Sequence, residues 1–148
     1  MGNILNYEEA AVWRGPMLSG AIKKLINDTI WDNLDYLLID MPPGTGDAYL
    51  TVFNELIVDE FILITTPNKL AISDMQKTIS MLKKLNISIL GYICNNIFNV
   101  KNFDNSFFLL NNIHHLGTYE FDKNILEFNL DCNSRTTNKI SKTIMSDV

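Results

Sequence analysis

The stretch Leu34-Asp35-Tyr36-Leu37-Leu38-Ile39-Asp40-Met41-Pro42-Pro43-Gly44-Thr45-Gly46-Asp47 decides how the rest of this chain is read. An unbroken apolar run, Tyr36–Ile39, ends in a carboxylate and passes into a loop rich in proline and glycine. Short continuous apolar runs closed by turn residues suit strands buried on both faces, as in parallel sheets. Two more runs of that kind follow, Phe61–Ile64 and Ile87–Ile93, and a weaker one lies around Ile113–Tyr119. Helical stripes sit between and before them. Met17, Leu18, Ala21, Ile22, Leu25 and Ile26 share one face, with Lys23 and Lys24 off it and Pro16 in the first turn. Ile72, Met75, Ile79 and Leu82 make a second stripe, and Ala48–Leu56 reads as a shorter helix. Strands alternating with helices imply βαβ units. The predicted fold is therefore α/β, a doubly wound and mainly parallel sheet. Tyr36–Asp40, Phe61–Thr65 and Ile87–Ile93 are its expected strands, and a terminal helix ends the chain.

Composition bounds the function. The 148 residues suit a single domain over 1–148, and 47% hydrophobic residues supply enough apolar surface to offset ordering entropy. With 12 Lys+Arg against 17 Asp+Glu, the net charge of −5 argues against a general nucleic-acid binder. Cys94 and Cys132 are too few for a secreted disulfide scaffold and suit a reducing cytosol, so a cytoplasmic location is expected. The acidic start, MGNILNYEEA, has no apolar segment of a signal peptide, and Asn6 misses the Ser or Thr of a myristoylation site. No apolar run nears the roughly 18 residues of a membrane span.

Asp40 is the first candidate for chemistry. In open α/β sheets, ligands bind beyond the carboxyl ends of strands. A carboxylate there is placed to hold Mg²⁺ through water. The loop after it needs glycine where backbone N–H groups approach a phosphate, and its prolines stiffen the entry. The plain alternative is a strand followed by a capped turn, with Asp40 and Asp47 as ordinary loop acids. The full octet Asp40–Asp47 is far more specific than an apolar run plus an acid.

The octet does not stand alone. Val12-Trp13-Arg14-Gly15-Pro16-Met17 and Trp31…Leu34-Asp35-Tyr36 precede it. Thr65-Thr66-Pro67, the helix to Lys84, and Gly91…Asn95 follow. Together these strings resemble the Mrp-type iron–sulfur cluster carrier ATPases of the MinD/ParA-like deviant-Walker class of P-loop proteins. The resemblance is good over 11–95, weak at Leu116-Gly117-Thr118, and poor elsewhere, so 96–148 is a divergent C-terminal part. It implies ATP and Mg²⁺ as cofactors. It makes Asp40 the Walker-B acid, which reaches Mg²⁺ through water, and Asp40 and Asp47 the catalytic pair. Gly44 and Asp47 match the switch loop that senses the γ-phosphate and the attacking water, and Pro43, Thr45 and Gly46 complete that loop. Asn95 matches the residue that reads the adenine. Family members hydrolyse ATP as dimers and pass iron–sulfur clusters to apoproteins.

Two departures from the family shape the expected activity. The first concerns Walker A, G-x-x-x-x-G-K-[ST], which cradles the phosphates. Only 39 residues precede Asp40, and none of them spells it. Gly15–Gly20 has the glycine spacing, but Ala21-Ile22 stands in place of Lys-Ser/Thr and Pro16 starts a helix. The resemblance thus covers a partial P-loop domain. Its expected partner is a separately encoded N-terminal half bearing the P-loop, and ATPase activity is not expected without it. The second departure is the family's C-x-x-C, absent from the window Ile97–Asn112. Two such pairs across a dimer supply the four thiolates of one cluster. Cys94 reads instead as a buried structural residue. His114 and His115 point to opposite faces of an extended segment, Lys77, Lys83 and Lys84 form a solvated helix face, and Phe103–Leu110 is a packing element or remodelled loop. The alternative function is a non-catalytic or vestigial P-loop-like binding domain. A role in septum placement or partition is a weaker reading, from which the Arg-Gly-Pro and Pro-Pro-Gly-Thr-Gly-Asp strings point away.

Overall fold

The computed structural model describes residues 15–42, 44, 46–96, 98–101, 103–121 and 135–147. The chain forms two compact units, Met1–Ile57 and Val58–Val148.

The first unit is built on two helices, α1 (Gly15–Asn27) and α2 (Asp47–Glu55), which pack on each other. Pro16 sits in the first turn of α1, where a missing N–H costs nothing. Gly15–Gly20 is therefore the start of a helix and not a phosphate loop. α1 buries Ile22, and α2 buries Ala48, Tyr49, Thr51 and Val52. Polar ties fix the pair. Thr51 Oγ1 donates to Ser19 Oγ at 2.8 Å, and Lys23 Nζ meets Glu55 Oε1 at 2.7 Å. Asn27 Nδ2 donates to the other oxygen of Glu55 at 3.2 Å. The bonds from Lys23 and Asn27 hold the Glu55 carboxyl below its ordinary pKa. Two of the last carbonyls of α1 are taken by side chains from beyond its end. Thr29 Oγ1 donates to Leu25 O at 2.6 Å, and Trp31 Nε1 donates to Ile26 O at 2.9 Å.

The expected strand Tyr36–Asp40 does not form. These residues carry no ladder bonds and are exposed throughout, Leu38 by 87%. A strand is stable only when a neighbour takes its outward N–H and C=O groups. Among the described residues the sheet consists of three other strands, and none of them is hydrogen-bonded to this segment.

The second unit holds the sheet, which has three parallel strands in the order β1-β2-β3. They are β1 (Phe61–Thr65), β2 (Ile89–Asn96) and β3 (His115–Glu120). Two of the three expected strands are thus present, and the third place is taken by the weaker run near Tyr119. α3 (Lys69–Lys84) joins β1 to β2 and packs on β1. The short helix α4 (Ser106–Leu110) lies between β2 and β3, and α5 (Arg135–Asp147) packs on β3. Helices thus flank a parallel sheet, which is the expected α/β class. One core cluster joins Ile93, Leu116 and Ile140, with Ile62, Leu90, Tyr119 and Ile144 around it. Leu63 and Thr65 alternate to the face opposite Ile62 and are also buried. Phe108 of α4 is fully buried and stacks on Tyr92, with ring centroids 3.8 Å apart. The Phe103–Leu110 stretch is therefore a packing element.

The frequent asparagines have local roles here. Asn86, Asn99 and Asn112 hold the left-handed conformation that closes tight turns. Asn68 caps α3, its Oδ1 accepting from Ala71 N at 2.8 Å.

Candidate functional site

Asp40 ends the exposed segment 36–40, which has no regular secondary structure, and is itself exposed. The chain then turns through Met41, Pro42 and Gly44 into α2. Gly44 has φ +98°, a conformation that side-chain-bearing residues rarely adopt. Gly46 stands at the helix N-cap, with no side chain to occupy the first N–H groups of α2. Space is open beside both glycines, since a Cβ built on either meets nothing within 4 Å. Asp47 opens the helix, and its carboxylate lies against Gly15 so closely that a Cβ there would overlap Oδ2. A side-chain tie fastens the loop. Tyr49 Oη donates to Pro42 O at 3.0 Å, and burial holds the Tyr49 phenol above its ordinary pKa, so it stays a donor.

Among the expected site residues, Asp40, Gly44, Gly46 and Asp47 thus share one loop and helix start. Pro43 and Thr45 lie outside the described residues. Asn95 belongs to the second unit, near the carboxyl end of β2, opposite Tyr119 of β3. It is half-buried, and its side chain has no hydrogen-bond partner among the described residues. The next residue, Asn96, is committed. Its Oδ1 accepts from Val100 N at 2.8 Å and its Nδ2 donates to Val100 O at 3.2 Å, closing the turn after β2. Sequence reasoning did not find this clamp or the ties made by Tyr49 and Ser19.

Cys94 is 2% exposed within β2, and burial pushes its thiol pKa up, which fits a structural role. Cys132 lies outside the described residues. The His115 ring lies tilted against Tyr92, with centroids 4.9 Å apart, and shares a hydrogen bond of 3.0 Å with Thr118 Oγ1. Among the described residues no group of three or more His, Cys, Asp or Glu side chains converges as metal ligands do.

An exposed carboxylate, a left-handed glycine and open main-chain N–H groups make a loop that can approach a hydrated cation and an anionic oxygen together. The family profile for the ParA group, described as NUBPL iron-transfer P-loop NTPase, matches residues 1–129. The chain belongs to that family. Proteins named iron–sulfur cluster carrier protein are its relatives. That of Haemophilus influenzae is 45% identical over 95 residues, covering 64% of this chain and 26% of the relative. That of Rickettsia conorii is 45% identical over 102 residues, covering 69% and 32%. That of Methanocaldococcus jannaschii is 49% identical over 85 residues, covering 57% and 29%. The chain thus spans about a quarter to a third of these relatives' length.

Solved structures agree on the fold. The cell division ATPase MinD of Pyrococcus furiosus matches with TM-score 0.65 and 20% identity, covering 91% of this chain and 60% of that one. The septum site-determining protein MinD of Pyrococcus horikoshii OT3, complexed with Mg-ADP, matches with TM-score 0.62 and 22% identity, covering 90% and 56%. No helix among the described residues is long and apolar enough to cross a membrane.

Proposed function

We propose that this chain carries the Walker-B side of an iron–sulfur cluster carrier ATPase, and that its nucleotide site is completed by a P-loop from an N-terminal portion. The observation that supports this best is the run from Asp40 into α2, in a chain of the carrier family. It joins an exposed carboxylate, a left-handed glycine and a helix start left open by Gly46. In this reading Asp40 would hold Mg²⁺ through water, and the loop formed by Pro43, Gly44, Thr45 and Gly46 would bind the γ-phosphate. Asp47 would position the attacking water, and Asn95 would read the adenine. Bound Mg²⁺ would neutralise charge on the β- and γ-phosphates. The loop Met41–Asp47 holds no cation of its own, so compensating charge on the far side must come from the P-loop lysine. The cluster is cargo, delivered to apoproteins by a dimer. With Cys94 buried and no C-x-x-C, this chain does not hold the cluster by itself.

Calorimetric titration with Mg-ATP tests the reading. The chain alone should give no binding heat. Micromolar affinity and hydrolysis should appear when a P-loop-bearing N-terminal fragment of a carrier relative is added, and Asp40→Asn should abolish hydrolysis by the pair. Micromolar binding by the chain alone would overturn it. The second reading, a vestigial domain without turnover, draws on the exposed, unladdered Tyr36–Ile39 segment. It would hold if the fragment binds and no hydrolysis follows.

A further inference from the structure

We propose that Gly15 is a positioning residue, whose missing side chain leaves a seat at the start of α1 that holds the Asp47 carboxyl. The inference rests on the function proposed above, in which Asp47 would position the attacking water. Gly15 is the middle residue of the Arg14-Gly15-Pro16 string and the first residue of α1. It is not needed there for its backbone, since among the described glycines only Gly44 has a positive φ. It is needed for space. A Cβ at position 15 would overlap Asp47 Oδ2 and lie 3.5 Å from Asp47 Cγ, whereas a Cβ on Gly20, Gly44 or Gly46 meets nothing within 4 Å. Asp47 is otherwise exposed, so the contact fixes the carboxyl from one side and leaves it open to water.

The packing of two helices keeps the seat in place. Gly15, Ser19 and Lys23 are four residues apart on α1, and Asp47, Thr51 and Glu55 are four apart on α2, so each trio runs along one helix face. The trios meet level by level. Gly15 touches Asp47, Ser19 Oγ lies 2.8 Å from Thr51 Oγ1, and Lys23 Nζ lies 2.7 Å from Glu55 Oε1. The two helices therefore run parallel and in register. Thr51 Oγ1 is also 2.7 Å from Asp47 O, which ties the middle level to the residue in the seat. Sliding α1 along α2 would break both polar levels. A side chain at position 15 must instead push the Asp47 carboxyl aside, and a displacement of roughly 1 Å at a group that positions a reactant costs up to about a hundredfold in rate.

NMR of the 148-residue chain, and kinetics of its pair with the P-loop-bearing fragment, test the seat. In the chain alone, Gly15→Ala should move the Asp47 Cγ and Gly46 amide resonances. Lys23→Ala loosens only the far level and should leave both in place. In the pair, Gly15→Ala should lower kcat by at least about tenfold with KM held within about twofold. Added to Asp47→Asn, it should cost less than about twofold more, because Gly15 acts only through that carboxyl. Unmoved resonances, equal movement in the Lys23 variant, or an unchanged kcat in an active pair would overturn the seat and leave the proposed function standing. So would a full tenfold further loss in the Asp47→Asn background. If Gly15→Ala does not fold, Thr51→Val decides. It keeps the side-chain shape and removes the hydroxyl beside Asp47 O, so it should move the same resonances and lower kcat by about threefold or more, and no change in either would overturn the seat. Moved resonances with no hydrolysis by the unaltered pair would sink the proposed function and this role of Gly15 with it.

Discussion

Tyr49 buries its ring in α2 and turns its hydroxyl back onto Pro42 O, 3.0 Å away, so the loop after Asp40 is held by a residue that comes later in the chain. Tyr49→Phe keeps the ring and removes the bond. It should lower stability by about 1 kcal/mol. The readout is the urea midpoint, with the slope unchanged because the exposed surface on unfolding is the same. Gly44 makes a different demand. Its φ of +98° admits no ordinary side chain comfortably, yet the space around it is open. Gly44→Ala should therefore cost about 1–2 kcal/mol through backbone strain and not through a clash. A variant as stable as the parent would mean that the loop relaxes to another conformation. The run Asp40–Asp47 was legible because its chemistry is contiguous. The Tyr49 tie was not, because its partner is a carbonyl, a group every residue carries.

Among the elements, α5 shows how a helix is placed by what the sheet leaves out. Gly117 of β3 has no side chain, and a Cβ there would come 2.5 Å from Ile140 Cγ1 of α5. Ile140 is 3% exposed and closes the cluster with Ile93 and Leu116. Gly117→Ala should destabilise by about 1–3 kcal/mol through overpacking. Ile140→Ala should cost about 2–5 kcal/mol through the cavity it leaves. The double variant should be more stable than the sum implies, by about 1 kcal/mol or more, because each change relieves the other. Strict additivity in denaturant titrations would show that α5 does not rest on Gly117. The sequence offered only a terminal helix here, since its stripe does not name the surface it covers. Tyr36–Ile39 fails in the opposite sense. Its composition is that of a strand, but a strand is a relation between two segments, and composition describes one.

For the molecule as a whole, alkaline pH probes the core. Burial raises the pKa of Cys94, Tyr92 and Tyr49 above their ordinary values. Below those values both folded and unfolded chains hold these protons, and the stability they contribute is fully present. As pH rises, the unfolded chain releases them first, so stability falls from about pH 9 upward, led by the thiol and followed by the phenols. Urea midpoints at neutral pH and at a series of alkaline values measure this loss. Cys94→Ala should remove its earliest part and leave the later part in place. A midpoint that stays level through the alkaline series would contradict the burial of all three groups.

The sequence by itself determined the α/β class, the helices α1, α2, α3 and α5, and the strands β1 and β2, because local pattern sets which face of each segment is apolar. It also marked the octet Asp40–Asp47 as the candidate site, because its two glycines and two acids lie close together in the chain. Only the tertiary structure decided that the weak run around Ile113–Tyr119 pairs with β2 while Tyr36–Asp40 carries no ladder, because a strand needs a partner for its main-chain groups. Only the tertiary structure decided that Phe108 stacks on Tyr92 and that Ile140 fills the space beside Gly117. Those contacts join residues distant in the chain, and their complementary shapes exist only once the sheet has formed.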